Sequence, residues 1–94
     1  MPLDKNDFSE PFVEKMRRRM LTSLHKYGRV ADNVAKFDFV KCAEDRIRLY
    51  KETGNTEWLV DAGNFLMMEG EFPKHPNAHF RATSSAEAPK RVKA

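Results

Sequence analysis

The sequence predicts an all-α protein, an antiparallel helical bundle of about three helices completed by dimerisation. Three observations predict it. Apolar residues recur at spacings of three and four along most of the chain from Phe12 to Met68. Capping residues and glycines divide that stretch into three segments. The last segment is apolar at almost every helical angle, the pattern of a helix buried among others.

Ser9-Glu10-Pro11 opens the first helix: Ser is a good cap, and Pro loses nothing in a first turn whose N–H groups have no helical partner. Phe12, Val13, Met16, Met20, Leu21, Leu24 and Tyr27 then share one face, and Gly28 supplies a stop. Asp32 or Asn33 caps a second helix running to about Thr53. Its buried stripe reads Val34, Phe37, Val40, Cys42 or Ala43, Ile47 and Tyr50, widened by Phe39 and Leu49. Lys41, Asp45, Arg48 and Lys51 face away, with Asp45 and Arg48 three apart and able to pair. Gly54 ends this helix, Asn55 or Thr56 caps the third, and Glu57 sits in its first turn, where the dipole favours a negative charge. Trp58 to Met68 is the all-round apolar stretch, closed by Gly70 and Pro73. Three helices cannot easily cover such a stretch, so a homo-oligomer is expected.

Residues 1–8 read as a flexible lead-in, 9–82 as one helical domain, and 83–94 as a mobile basic tail. The segment after Pro73 is irregular, with an aromatic anchor at Phe80. A chain of 94 residues supports one small core. No run approaches the roughly 18 apolar residues of a membrane span, and no secretory pattern opens the chain, so a cytoplasmic protein with no membrane partner is expected. Cys42 is the one cysteine, which excludes an intrachain disulfide and a cysteine-based zinc cluster; its helical position suits a small buried hydrophobe. The net charge of +3 is mild, so nucleic-acid binding through Arg17-Arg18-Arg19 and the basic tail is open but not favoured.

The candidate chemistry centres on the third helix. Glu57, Asp61, Asn64 and Met68 form one stripe. A carboxylate among apolar neighbours must be paired, hydrogen-bonded, metal-bound or protonated. Asp61 therefore either pairs with a cation, such as one of the three arginines, or lines a polar pocket with Asn64. Glu44, at the edge of the second helix's apolar face, either pairs with Arg48 or joins Glu57 and Asp61 in an oxygen-donor set suited to Mg²⁺. His25, His75 and His79 have no metal-ligand spacing, although the last two could approach a site from their loop.

Glu57-Trp58-Leu59-Val60-Asp61-Ala62-Gly63-Asn64-Phe65 resembles the acidic helix of the MazG-like all-α nucleoside triphosphate pyrophosphohydrolases and of small phage and bacterial relatives. Lys26-Tyr27-Gly28, Arg48-Leu49-Tyr50 and Thr53-Gly54-Asn55 fit the same layout, and the resemblance covers roughly residues 12–72. It implies a dimeric or tetrameric bundle that binds Mg²⁺ on facing helices and cleaves a nucleoside triphosphate between its α and β phosphates. Under it, Glu57 and Asp61 are the catalytic acidic pair, Glu44 is a further metal ligand, and Asn64, Arg48 and Lys41 are the binding residues. The sequence departs from the family in two places. The pair Glu57/Asp61 is spaced four rather than three, and Lys41 stands where the first acidic pair needs a carboxylate. The expected functions are accordingly a Mg²⁺-dependent pyrophosphohydrolase or, in the same fold, a non-catalytic protein that sequesters a nucleotide or blocks a protein partner such as a host defence complex.

Overall fold

In the computed structural model, which describes residues 1–84, helix α1 (Glu10–Tyr27) begins where Ser9 places it: the Ser9 hydroxyl accepts the Phe12 N–H at 3.1 Å. It ends at Gly28, whose N–H donates to the Leu24 carbonyl at 3.0 Å. The expected basic tail lies, from residue 85 onward, outside the described residues.

The second predicted helix is interrupted. A single turn, α2 (Val30–Asn33), is followed by a non-helical stretch and then α3 (Phe39–Thr53). Two side chains cause the break. Asn33 is buried, and its Nδ2 donates to the Tyr27 and Arg29 carbonyls, both at 2.8 Å, which ties the turn back onto the end of α1. Asp38 then starts a new helix by accepting the Lys41 N–H at 3.0 Å. The restart resets the buried face. Phe39, 2 % exposed, and Ala43 form the core of α3, whereas Phe37, Val40 and Ile47 of the expected stripe are exposed.

Gly54 closes α3 in the left-handed conformation (φ 74°), which a side chain would strain, and its N–H donates to the Tyr50 carbonyl at 2.7 Å. The short connection makes α3 and α4 (Glu57–Glu71) a helical hairpin. Thr56 occupies the cap position of α4, but Asn55 does the capping: its Oδ1 accepts the Glu57 N–H at 3.0 Å. Helix α4 is the middle element, packed mainly against α3 and also against α1. It buries Val60, Ala62 and Asn64. Gly63 faces α1, where an added Cβ would stand 3.4 Å from Met16 Cε. As expected for an all-round apolar helix in so small a bundle, part of α4 stays uncovered: Leu66 and Met67 are 55 % and 44 % exposed.

Beyond α4, Phe80 is fully exposed and anchors nothing, correcting the expectation for this segment. Lys74 holds the chain instead. Its backbone N–H donates to Glu69 Oε2 at 2.9 Å, and its ammonium lies 4.7 Å from the Phe39 ring centre and donates to the Phe37 carbonyl. No helix among the described residues is long and apolar enough to cross a membrane.

Candidate functional site

The four-residue spacing of Glu57 and Asp61 puts both carboxylates on one flank of α4, and Arg19 reaches them from α1. Its Nε and Nη2 donate to Asp61 Oδ1 and Oδ2 at 3.0 and 3.4 Å, and its Nη1 stands 3.1 Å from Glu57 Oε1. Of the three consecutive arginines, Arg19 alone folds onto Asp61, while Arg17 and Arg18 pair with Glu14 on their own helix. The hydrogen bond to Asp61 raises the Arg19 pKa above its ordinary value, so the guanidinium stays charged.

Arg46 approaches from α3 on the other side. Its guanidinium lies 5.2 Å from the Phe65 ring centre and 6.0 Å from that of Trp58. Its Nε is 4.0 Å from Asp61 Oδ2, a charge contact but too long for a hydrogen bond. Asp61 therefore sits between two arginines with a side chain only 12 % exposed. One turn further along, Asn64 is 3 % exposed, and its Nδ2 donates to the Met16 carbonyl of α1 at 3.0 Å. Two buried atoms in this cluster have no hydrogen-bond partner, Asn64 Oδ1 and Arg46 Nε.

These groups line a cavity of about 530 Å³ between α1, the α1–α3 connection and the α3–α4 hairpin. Met20, Leu24, Phe39, Phe65 and Met68 contribute an apolar wall. The ionised groups are unbalanced, with Arg17, Arg19, Lys26, Arg29 and Arg46 against the single carboxylate of Asp61. The volume lies in the range of small-molecule sites, and a mostly apolar lining with a few convergent polar groups is their usual character.

Of the residues singled out in the sequence, Asp61 and Asn64 line this cavity and Glu57 shares Arg19 with Asp61. The rest lie elsewhere. Glu44 is exposed on α3. Lys41 pairs with Asp45 at 2.7 Å and Arg48 with Glu52 at 3.1 Å, which replaces the expected Asp45–Arg48 and Glu44–Arg48 pairs. Neither Lys41 nor Arg48 lines the cavity, nor do His75 and His79, whose rings meet the backbone of Asn77. Among the described residues no group of three or more His, Cys, Asp or Glu side chains is arranged to hold a metal ion. Glu57 and Asp61 are both engaged by Arg19, and Glu44 does not complete a set with them. These donors do not fit a three-carboxylate Mg²⁺ site.

Arg46, Lys26 and Arg29 were not among the candidate site residues of the sequence, Lys26 entering only with Tyr27 and Gly28 in the family resemblance. A signal for Arg46 was available, since it lies three residues after Ala43 and seven after Phe39, on the buried face of α3. Lys26 and Arg29 carry no signal of their own, because they flank the stop at Gly28 and are gathered by the turn of α2.

In comparisons with protein-family models, with curated proteins and with solved structures, nothing matches this chain.

Proposed function

We propose that this chain is a non-catalytic binding protein that holds a small anionic ligand with a planar apolar part, a nucleotide being the class that fits, between α1 and the α3–α4 hairpin. One observation carries the reading: a cavity of about 530 Å³ that sets five cationic side chains and an aromatic and methionine wall around one carboxylate. Lys26 and Arg29 have no carboxylate partner among the described residues, so their charge is free to draw an anion. The resemblance to MazG-like proteins supports the nucleotide class. Binding is favoured over Mg²⁺-dependent hydrolysis because Glu57 and Asp61 are spent on Arg19 and Glu44 stands apart.

Calorimetric titration with a panel of nucleoside triphosphates in the presence of a chelator tests the reading. Binding is expected without divalent metal and weakens as salt screens the cations. Replacing Lys26 and Arg29 by Gln together lowers affinity by roughly tenfold, about 0.7 kcal/mol per charge. Binding that requires Mg²⁺, with pyrophosphate released and the release abolished in Asp61→Ala, would establish the hydrolytic reading instead.

A second copy of the chain is supported by a separate observation. Val40, Ile47, Leu66 and Met67 leave apolar surface exposed on both helices of the hairpin. Sedimentation equilibrium is expected to return a dimer that Leu66→Glu dissociates.

A further inference from the structure

We infer that a cleft of about 370 Å³, adjoining the ligand cavity at Arg19, is a second phosphate subsite, and that the ligand is a short single-stranded oligonucleotide rather than a lone nucleotide; the inference rests on the binding reading above. Lys15, Arg19, Thr22 and Lys26 follow one another on α1 at spacings of four, three and four, so they share one flank of the helix. That flank lines two cavities in succession. Lys15 lies on the cleft, Thr22 and Lys26 on the larger cavity, and Arg19 on both.

Lys15, Arg18 and Arg19 line the cleft from α1, and Asn55, Thr56 and Glu57 line it from the start of α4. Its one carboxylate, Glu57, is already met by Arg19 at 3.1 Å. The other two cations are accessible. Lys15 is exposed and makes no ion pair among the described residues. Arg18 has 77 % of its side chain exposed and meets Glu14 at 3.5 Å. Residues three apart on a helix stand about 5–6 Å from each other at Cβ, so Lys15 and Arg18 can close on one phosphate.

Arg19 is spent on Asp61 and Glu57, so the cations left for a ligand stand at two ends, Lys26 and Arg29 at one, Lys15 and Arg18 at the other. Lys15 and Lys26 are eleven residues apart on α1, roughly 16 Å at a rise of about 1.5 Å per residue. A mononucleotide carries its charge at one end and cannot neutralise both. A nucleic-acid strand carries a charge on every unit, about 3.4 Å apart when stacked, so a few nucleotides cover the span. Tyr27 and Phe37, exposed side chains on the wall of the larger cavity with ring centres 6.1 Å apart, offer faces on which bases stack. An acidic peptide would match the charge and make no use of those rings.

The test uses the full chain. Titration calorimetry compares the mononucleotide of each of the four RNA bases with the pentanucleotide of the same base, and hexaglutamate serves as the acidic peptide. For at least one base the pentanucleotide is expected to bind about ten times or more tighter than the mononucleotide, with a steeper loss on adding salt because more phosphates are engaged. Replacing Lys15 and Arg18 by Gln together is expected to remove that gain and leave mononucleotide affinity unchanged. Both side chains are exposed, so the fold is kept, and the salt dependence of the unmodified chain reads the same contacts without a substitution. Pentanucleotides no tighter than mononucleotides, or a gain that survives the double replacement, overturn the inference and leave the binding reading standing. Hexaglutamate bound as tightly as the pentanucleotide overturns the nucleic-acid class. Failure of every nucleotide and oligonucleotide to bind the folded chain overturns both readings.

Discussion

The α3–α4 hairpin and the α1 side of the molecule are held together by different forces. In the hairpin, Phe39, Ala43, Val60 and Ala62 are buried against one another's helices, and apolar burial is the cement. Helix α1 contributes no buried residue. It meets α4 through the close approach at Gly63, the bond from Asn64 to the Met16 carbonyl and the grip of Arg19 on Asp61 and Glu57. Where packing is complete there is no room for a ligand. Where α1 is latched by polar contacts, a cavity remains, and the polar residues that latch it also line that cavity.

Changes on the two sides should therefore differ in size and in kind. The largest loss is expected for Phe39→Ala, which empties the center of the hairpin and costs about 3–5 kcal/mol in denaturant unfolding. A loss below about 1 kcal/mol would mean the hairpin is not the stable half. Next is Arg19→Gln. It leaves Asp61 nearly buried with Arg46 4.0 Å away as a substitute, while Arg19 itself is half exposed. The cost falls between that of surface and buried pairs, about 1–2 kcal/mol. Ser9→Ala removes a cap and costs about 1 kcal/mol. Its distinguishing readout is amide exchange, which should quicken in α1 and stay unchanged in α3 and α4.

The smallest effect belongs to the exposed pair Lys41–Asp45. The hydrogen bond from Lys41 is the leading cause holding the Asp45 pKa below its ordinary value, and the same bond is the leading cause raising that of Lys41. The contribution of Asp45 is complete above the ordinary carboxylate pKa of about 3.9 and disappears as pH falls through its depressed value. That of Lys41 is complete below about 10.4 and disappears as pH rises through its raised value. A carboxyl chemical-shift titration with Asp45 turning over at or above about 3.9 would show that the pair does not form in solution.

Much of this arrangement was legible in the sequence, and the exceptions share a cause. Local signals worked where the relevant partner is a few residues away: the Ser9 cap, the Gly28 and Gly54 stops, and the all-round apolar helix that becomes the middle element. The cost of burying a charge left Asp61 either paired with a cation such as one of the three arginines or lining a polar pocket with Asn64, and the structure shows both at once. The break between α2 and α3 was missed because apolar periodicity runs through it. What cuts the helix is the bond from Asn33 to the end of α1 and the new cap at Asp38, and the first needs the chain to have turned already. The face of α3 followed that break, moving the core from Val40 and Ile47 to Phe39 and Ala43. At the candidate site, Asp61 and Asn64 were visible as polar residues in apolar surroundings. Glu44 was drawn in by its place at the edge of an apolar stripe whose register then shifted, and Lys41 and Arg48 by a family pattern, yet all three are exposed on α3. The cations that replace them come from three separate segments, which no single-segment spacing reveals.

On the proposed binding reading, α1 is a polar-latched cover over a ligand cavity on a firmly packed hairpin. Native-state hydrogen exchange, residue by residue, with and without a saturating nucleotide that binds by calorimetry, tests it most directly. Amides of α1 are expected to exchange faster than those of α3 and α4 in the free chain, and ligand is expected to slow α1 most. Uniform protection of all three helices, unchanged in α1 when ligand is bound, would contradict it.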